Sequence, residues 1–158
     1  MSPTPPSGSW PRPVAPDESQ TVYLQLSPTV ATWPIARIVA GSFAVGLGLP
    51  IDAVEDFRLA VHEAVNLASQ SPSGNPTRTD TAIELRFSTY ESPTGALGAL
   101  ADIAVDTGVA TADSAAAQLP DRSSFGWLLL AEVSNFADAH AEGGQLHIQV
   151  AVTGPEAA

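Results

Sequence analysis

Apolar residues alternate with polar ones at Val22, Leu24 and Leu26, set against Thr21, Tyr23 and Gln25. This period of two predicts a half-buried strand, ended by Ser27 and Pro28. The spacing then turns helical. Over about 32–46, Ile35, Ile38, Val39 and Phe43 form one apolar face, with Pro34 tolerated in the first turn. Gly46, Gly48 and Pro50 stop that helix. Asp52 and Glu55 give a second helix a capping-box-like start, and Ile51, Val54, Phe57, Val61, Ala64, Val65 and Ala68 recur along it at helical spacing.

Residues 71–80, rich in Ser, Pro, Gly and Asn, read as a loop before Ile83, Leu85 and Phe87, which alternate as a strand. A turn around 92–98 and a further strand over 100–105 complete a hairpin. Residues 107–124 are small, polar and Ala-rich with no clear period. Phe125, Leu128, Leu129, Val133 and Phe136 mark a third helix that ends before Gly143, and Gly143-Gly144 reads as a plain turn. Leu146, Ile148, Val150 and Val152 then alternate cleanly with Gln145, His147, Gln149 and Ala151 as a last strand. No internal repeat is visible. The order strand, two helices, two strands, helix, strand predicts an α/β (α+β) two-layer sandwich. Its sheet is expected to be mixed and mostly antiparallel, with helices on one face.

The length of 158 residues fits one compact domain, and 44% hydrophobic content supplies its core. The start is different. Residues 1–20 hold Pro3, Pro5, Pro6, Pro11, Pro13 and Pro16 among Ser, Gly and Thr, which predicts a disordered Pro-rich tail. The folded domain is expected over 21–153, with 154–158 a short disordered end. Cysteine is absent, so neither a disulfide framework nor a thiolate zinc site is available. No signal-peptide pattern opens the chain, and no segment approaches the roughly 18 uninterrupted apolar residues of a membrane span. A soluble, cytoplasmic protein is the expectation. There is no lysine, and 17 acidic residues against six arginines give a formal charge of -11. Such a chain is poorly suited to direct nucleic-acid binding, which needs a basic stripe to neutralise phosphates. A partner with a basic surface fits better.

The segment IARIVAGSFAVGLGLPIDAVEDFRLAVHEAVNLA, residues 35–68, resembles the N-terminal half of RsbW-like anti-sigma factors that double as serine-protein kinases. These belong to the histidine-kinase-like (GHKL, Bergerat fold) ATPase superfamily. Leu59, Ala60, Val61, Glu63 and Ala64 match the family motif on the second helix. In ADIAVDTGVA, residues 101–110, Asp106 and Gly108 match the first two key positions of an aspartate-X-glycine-X-glycine turn, while the final glycine is Ala110. FGWLLLAEVSNFAD, residues 125–138, resembles the glycine-bearing start of the family's last helix, at Gly126. GGQLHIQVAV, residues 143–152, resembles its closing strand, so that the resemblance covers roughly residues 21–153.

The resemblance implies ATP and Mg2+ as cofactors, with Glu63 the general base, an asparagine the magnesium ligand and Asp106 the reader of adenine. Glycine turns would let backbone amides approach the phosphates. Several parts of this set depart from the family. Four positions after Glu63 stands Leu67, and the nearest amide is Asn66, swung away by about 100° per residue of helix. The second glycine-rich element is reduced to Gly126, and no lysine exists to meet a γ-phosphate. Phosphoryl transfer depends on positioned metal and charge clamps, so weak or vestigial ATP binding is expected, through Asn66, Asp106, Gly108 and Gly126. Taken without the resemblance, Glu63 is a solvated carboxylate on a polar helix face, and Asp106 and Gly108 are ordinary turn residues. His62, His140 and His147 lack ligand spacing and read as surface or strand-face residues.

On the first helix Arg37 shares a face with Trp33, Ala40 and Ala44, opposite the apolar set. One arginine, one aromatic and small residues suggest a docking surface. The pair Ala36-Arg37 matches the position at which the family's first helix presents an arginine to the sigma factor, and a guanidinium fork suits a partner carboxylate. Trp33 would add apolar anchoring. The resemblance thus implies an anti-sigma factor that sequesters an alternative sigma factor in a stress-response type of regulation. An anti-anti-sigma (STAS-type) antagonist would release it, and a homodimer is implied. Two alternatives stay open: an active ATP-dependent serine/threonine-protein kinase using Glu63, and a non-catalytic dimeric scaffold for some other partner.

Overall fold

The computed structural model describes residues 12–13, 20–27, 30–70, 82–106 and 119–155. Its elements are β1 (Arg12–Pro13), β2 (Thr21–Leu26), a 3-10 turn (Val30–Thr32), α1 (Trp33–Gly46), α2 (Ile51–Ser69), β3 (Ile83–Glu91), β4 (Leu97–Asp106), α3 (Phe125–Val133), β5 (Phe136–Glu142) and β6 (Gln145–Thr153). The expectations for 71–80, for most of 107–124 and for most of both chain ends fall outside the described residues.

The chain folds as a two-layer α+β sandwich. Strands β3, β4, β6 and β5 lie side by side in that order, and β1 and β2 sit end to end along the outer edge of β3. Every described pairing is antiparallel, so the expected mixed sheet is corrected to an antiparallel one. No described crossover connects parallel neighbours. Pro13, which has no N–H to donate, lies on the outermost described strand, where proline is tolerated.

One sheet face is apolar. Ile83, Leu85 and Phe87 of β3, Ala99, Ala101, Ile103 and Val105 of β4, and Leu146, Ile148, Val150 and Val152 of β6 are all buried in a single core with the helices. Alternation sends the intervening residues to the opposite face. Helix α2 lies centrally over this core, with α1 on one side and α3 on the other. Phe57 of α2 and Phe43 of α1 meet Phe87 at ring-centroid distances of 6.2 and 5.9 Å. The 3-10 turn is tied down by Thr32 Oγ1 donating to the Ser27 carbonyl at 2.7 Å.

The capping box expected at Asp52 and Glu55 does not form. Pro50 is the N-cap and offers no side-chain acceptor, and Glu55 pairs instead with Arg58 at 2.9 Å. Asp52 still favours the helix, since a carboxylate in the first turn faces the positive end of the backbone dipole.

The third helix is shorter than expected, and Phe136 belongs to a strand. Residues 136–142, FADAHAE, place Ala137, Ala139 and Ala141 on the helix side and Phe136, Asp138, His140 and Glu142 on the open side. The alternation was there in the sequence. Alanine favours helix and contrasts weakly with its neighbours, which masks a period of two. Gly143 and Gly144, with φ of 58° and 78°, close the β5–β6 hairpin as a two-residue turn that needs positive φ at both positions. No described helix is long and apolar enough to cross a membrane.

Candidate functional site

Of the residues that resemble a nucleotide site, Glu63 and Gly126 meet where α2 passes the start of α3. Ser124 caps α3 by accepting from the Trp127 N–H at 3.3 Å, and Arg122 lies 4.7 Å over the Trp127 ring. Arg122 also donates to Asp138 at 3.0 Å and to the Ala139 carbonyl at 3.3 Å, which fixes the approach to α3 against β5. Asp121 accepts from the Ser123 hydroxyl and N–H at 2.7 and 2.9 Å, and these bonds hold its carboxyl below the usual range. With the N-terminus of α3 held in this way, Gly126 faces α2.

A Cβ at Gly126 would lie 3.3 Å from Leu67 Cδ2 and 3.6 Å from Glu63 Oε2. Glu63 and Leu67, one turn apart, therefore share the side of α2 that meets α3. Asn66 does not share it. Its amide Oδ1 accepts from Gln70 Nε2 at 3.2 Å, on a part of the helix surface about 100° around from Leu67. The residue that fills the place beside Glu63 is thus an isobutyl group packed against the core.

Asp106 ends β4, in register with Gln145. The opposite end of β4 lies by Pro50 and Gly154, near the start of α2, so Asp106 lies toward the end of α2 where Glu63 and Gly126 meet. Strand alternation, however, groups Asp106 with Asp102 on the face turned away from the helices. Gly108 lies outside the described residues.

The expected docking face on α1 is turned around. Ala40 and Ala44 are fully buried with Ala36 and Gly41, while Trp33 and Arg37 are half-buried at the edge of α1 facing α2. The helix that the small residues admit at close range is α2 of the same chain. Of the expected apolar face, Phe43 and Val39 do pack inward, whereas Ile35 and Ile38, together with the unplaced Val45, are exposed, Ile38 by 62% and Val45 by 61%. The physical reason is that α1 carries a single charge and is apolar nearly all round, which leaves its orientation to packing. A face of alanines lets two helices approach closely, whereas β-branched side chains would hold them apart. The third helix departs in part, since Val133 packs against the core as expected. Trp127 and Leu130 are buried, while Phe125 is 81% exposed and Leu128 is exposed as well.

One cluster was invisible in the sequence. His140 and His147 face each other across β5 and β6, with ring centroids 5.0 Å apart and planes 7° from parallel. His147 Nδ1 lies 3.1 Å from Asp102 Oδ1 on β4. That hydrogen bond raises the His147 pKa above its usual value, against the opposing effect of burial. Burial lowers that of His140, helped by the neighbouring His147 charge. Parallel rings do not converge on one point, so the pair has no geometry for shared metal ligation.

No family model matches the chain, and no curated protein matches it. Among solved structures, the fold is similar to the crystal structure of the RsbU and RsbW domains of Rv1364c from Mycobacterium tuberculosis, with a TM-score of 0.54 at 12% sequence identity. The match covers 86% of this chain and 33% of that one, so this chain spans about a third of the matched chain's length. The likeness is one of fold.

Proposed function

We propose that this domain is a partner-switching binder of the anti-sigma type. It sequesters an alternative sigma factor by occlusion, gives it up to an anti-anti-sigma (STAS-type) antagonist, and does so without phosphoryl transfer. One observation carries the second half of this reading: Leu67 occupies the place beside Glu63 and Gly126 where a metal-binding site needs an oxygen donor. Mg2+ takes hard oxygen ligands in near-octahedral geometry, and an isobutyl group supplies none. Asn66, the nearest amide, is engaged with Gln70, and the chain has no lysine to clamp a γ-phosphate. The residues present do not fit Mg2+ there. The resemblance over residues 35–68, together with the shared fold, supports the binding half.

Glu63 still borders Gly126, which is the observation that favours the kinase alternative. Two measurements separate the readings. Affinity capture of the native chain, followed by mass spectrometry, is expected to enrich a sigma factor, and its absence from the captured set overturns the assignment. Incubation with labelled ATP, Mg2+ and the co-captured antagonist is expected to transfer no phosphate. Transfer that disappears in Glu63→Ala overturns the binding-only reading.

A further inference from the structure

The end of the sandwich opposite Asp106 carries two adjoining cavities, where α1 gives way to α2, β4 begins and β6 ends. One, of about 410 Å³, is lined by Leu47, Leu49 and Leu97. The other, of about 470 Å³, is lined by Asp52 and Asp56 of α2 and by the end of β6. Pro50, Gly154 and Pro155 border both, so the two form one continuous groove.

The walls of this groove are built in advance. Leu49 N–H donates to the Ala44 carbonyl at 3.2 Å, Gly154 N–H to the Leu97 carbonyl at 3.0 Å and Thr153 N–H to Asn135 Oδ1 at 2.8 Å. Gly48, at a φ of 79°, makes the turn between the two helices. Gly154 keeps the halves joined, since a Cβ there would lie 3.3 Å from Leu49 Cδ2 and 3.6 Å from Pro50 Cδ, on their common border. Walls held by backbone bonds lose little freedom when a ligand settles between them.

The lining shows what that ligand carries. Leu97 is 46% exposed and Leu47 and Leu49 are half-buried, so the first cavity leaves apolar surface in water. Asp52 and Asp56 are exposed one turn apart on the same side of α2, and among the described residues neither has an ion-pair or hydrogen-bond partner. Arg58, the arginine of α2, is bound to Glu55 instead. Asp52 in the first turn is favoured by the helix dipole, whereas Asp56 lies beyond its reach and repels Asp52. A cation from outside relieves that repulsion.

A free cation would leave the three leucines wet, and an apolar molecule would leave both carboxylates unpaired. A polypeptide segment with an apolar side chain near basic ones satisfies both halves, and a net charge of -11 draws basic partners to the surface. A second copy of this chain would bring more negative charge to the same place. We infer that the groove is the docking site for a basic segment of a partner protein. Its apolar side chain sits among Leu47, Leu49 and Leu97, and its Arg or Lys side chains meet Asp52 and Asp56. This rests on the reading of the domain as a protein binder and adds a contact at the end of the fold away from Glu63 and Gly126.

The test uses the full chain, 15N-labelled, titrated with short capped peptides that carry a leucine and two arginines, the spacing between them varied across the set. At least one spacing is expected to shift the backbone signals of Leu49, Asp52, Asp56, Leu97 and Gly154 together and saturably. Changing both arginines of that peptide to glutamine should weaken binding about fivefold, as should Asp52→Asn with Asp56→Asn in the chain, the loss expected for two exposed ion pairs. Leu97→Ser, or leucine to serine in the peptide, should weaken it about tenfold through lost apolar contact. Both chain variants should keep the circular dichroism spectrum of the unmodified protein, and added salt should narrow the gap between the arginine and glutamine peptides. Unmoved signals at every spacing, equal binding of the arginine and glutamine peptides, unaffected variants, or the same shifts and affinity with argininamide alone each overturn the inference. Shifts of the same residues that grow with protein concentration, without any peptide, assign the groove to a second copy and overturn it as well. Capture of a sigma factor while every peptide fails sinks the groove and leaves the proposed function standing. Peptide binding as expected without any captured sigma factor does the reverse.

Discussion

Replacing Leu67 tests whether the α2–α3 junction is a packed seam or an open site. The side chain is half-buried, belongs to the edge of the core, and lies 3.3 Å from the Cβ position of Gly126. Full burial of a leucine contributes about 1.5–3 kcal/mol, and truncation of a buried one to alanine costs about 2–5 kcal/mol because a cavity adds to the lost transfer energy. For a half-buried position the expected loss in Leu67→Ala is about 1.5 kcal/mol. At about 2–4 °C per kcal/mol for a chain of this size, the Tm falls by roughly 3–6 °C. Leu67→Asn should lose a similar amount, since it exchanges apolar contact for an amide, whereas Leu67→Met should lose under about 1 kcal/mol. Thermal and urea melts followed by circular dichroism read all three. A loss below about 0.5 kcal/mol in both the Ala and Asn variants refutes the packing argument.

Gly98→Ala would drive a Cβ into the Val152 carbonyl oxygen and to 2.8 Å from Thr153 Cα, both backbone atoms of the paired strand. A loss of about 3 kcal/mol is expected in urea unfolding, and a neutral result would mean that β4 and β6 do not approach so closely. The histidine pair makes stability depend on pH from both sides. His147 has a raised folded pKa, so its contribution is complete below the unfolded value of about 6.5 and is lost as pH rises through the folded one. His140 has a lowered folded pKa, so stability falls as pH drops from about 6.5 toward that value. Stability from this pair should peak near 6.5, and Asp102→Asn should flatten the alkaline limb and extend the acid one, because the Asp102 charge also holds the His140 pKa up; an unchanged alkaline limb in melts across pH 6–9 contradicts the role given to the Asp102 bond. Phe125→Ser should change stability by less than about 0.5 kcal/mol despite removing an aromatic ring, because that ring is 81% exposed. A loss above about 1 kcal/mol would place Phe125 inside.

The elements that were legible from sequence are those whose two faces differ in polarity. Ile83, Leu85 and Phe87, the run Leu146 to Val152, and the Phe57–Val61–Ala64–Ala68 face of α2 all pack inward as their spacing predicts. The direction of Leu67 was also readable, because helix spacing of four places it on the same side of α2 as Glu63. Glu63 and Gly126 do come together, while Asp106 is carried to the other sheet face by alternation.

Periodicity by itself determined the sandwich, the inward set of its strands and the orientation of α2. Tertiary packing alone decided which side of α1 and α3 is buried, that residues 136–142 pair with β6, and that His140, His147 and Asp102 meet. It also joined the turn between α1 and α2, the start of β4 and the end of β6 into one groove. Local pattern encodes only the contrast between two faces of an element. Where a helix is apolar all round, or a strand alternates alanine with polar residues, that contrast is too weak to read, and the closest packing available to the whole chain sets the outcome.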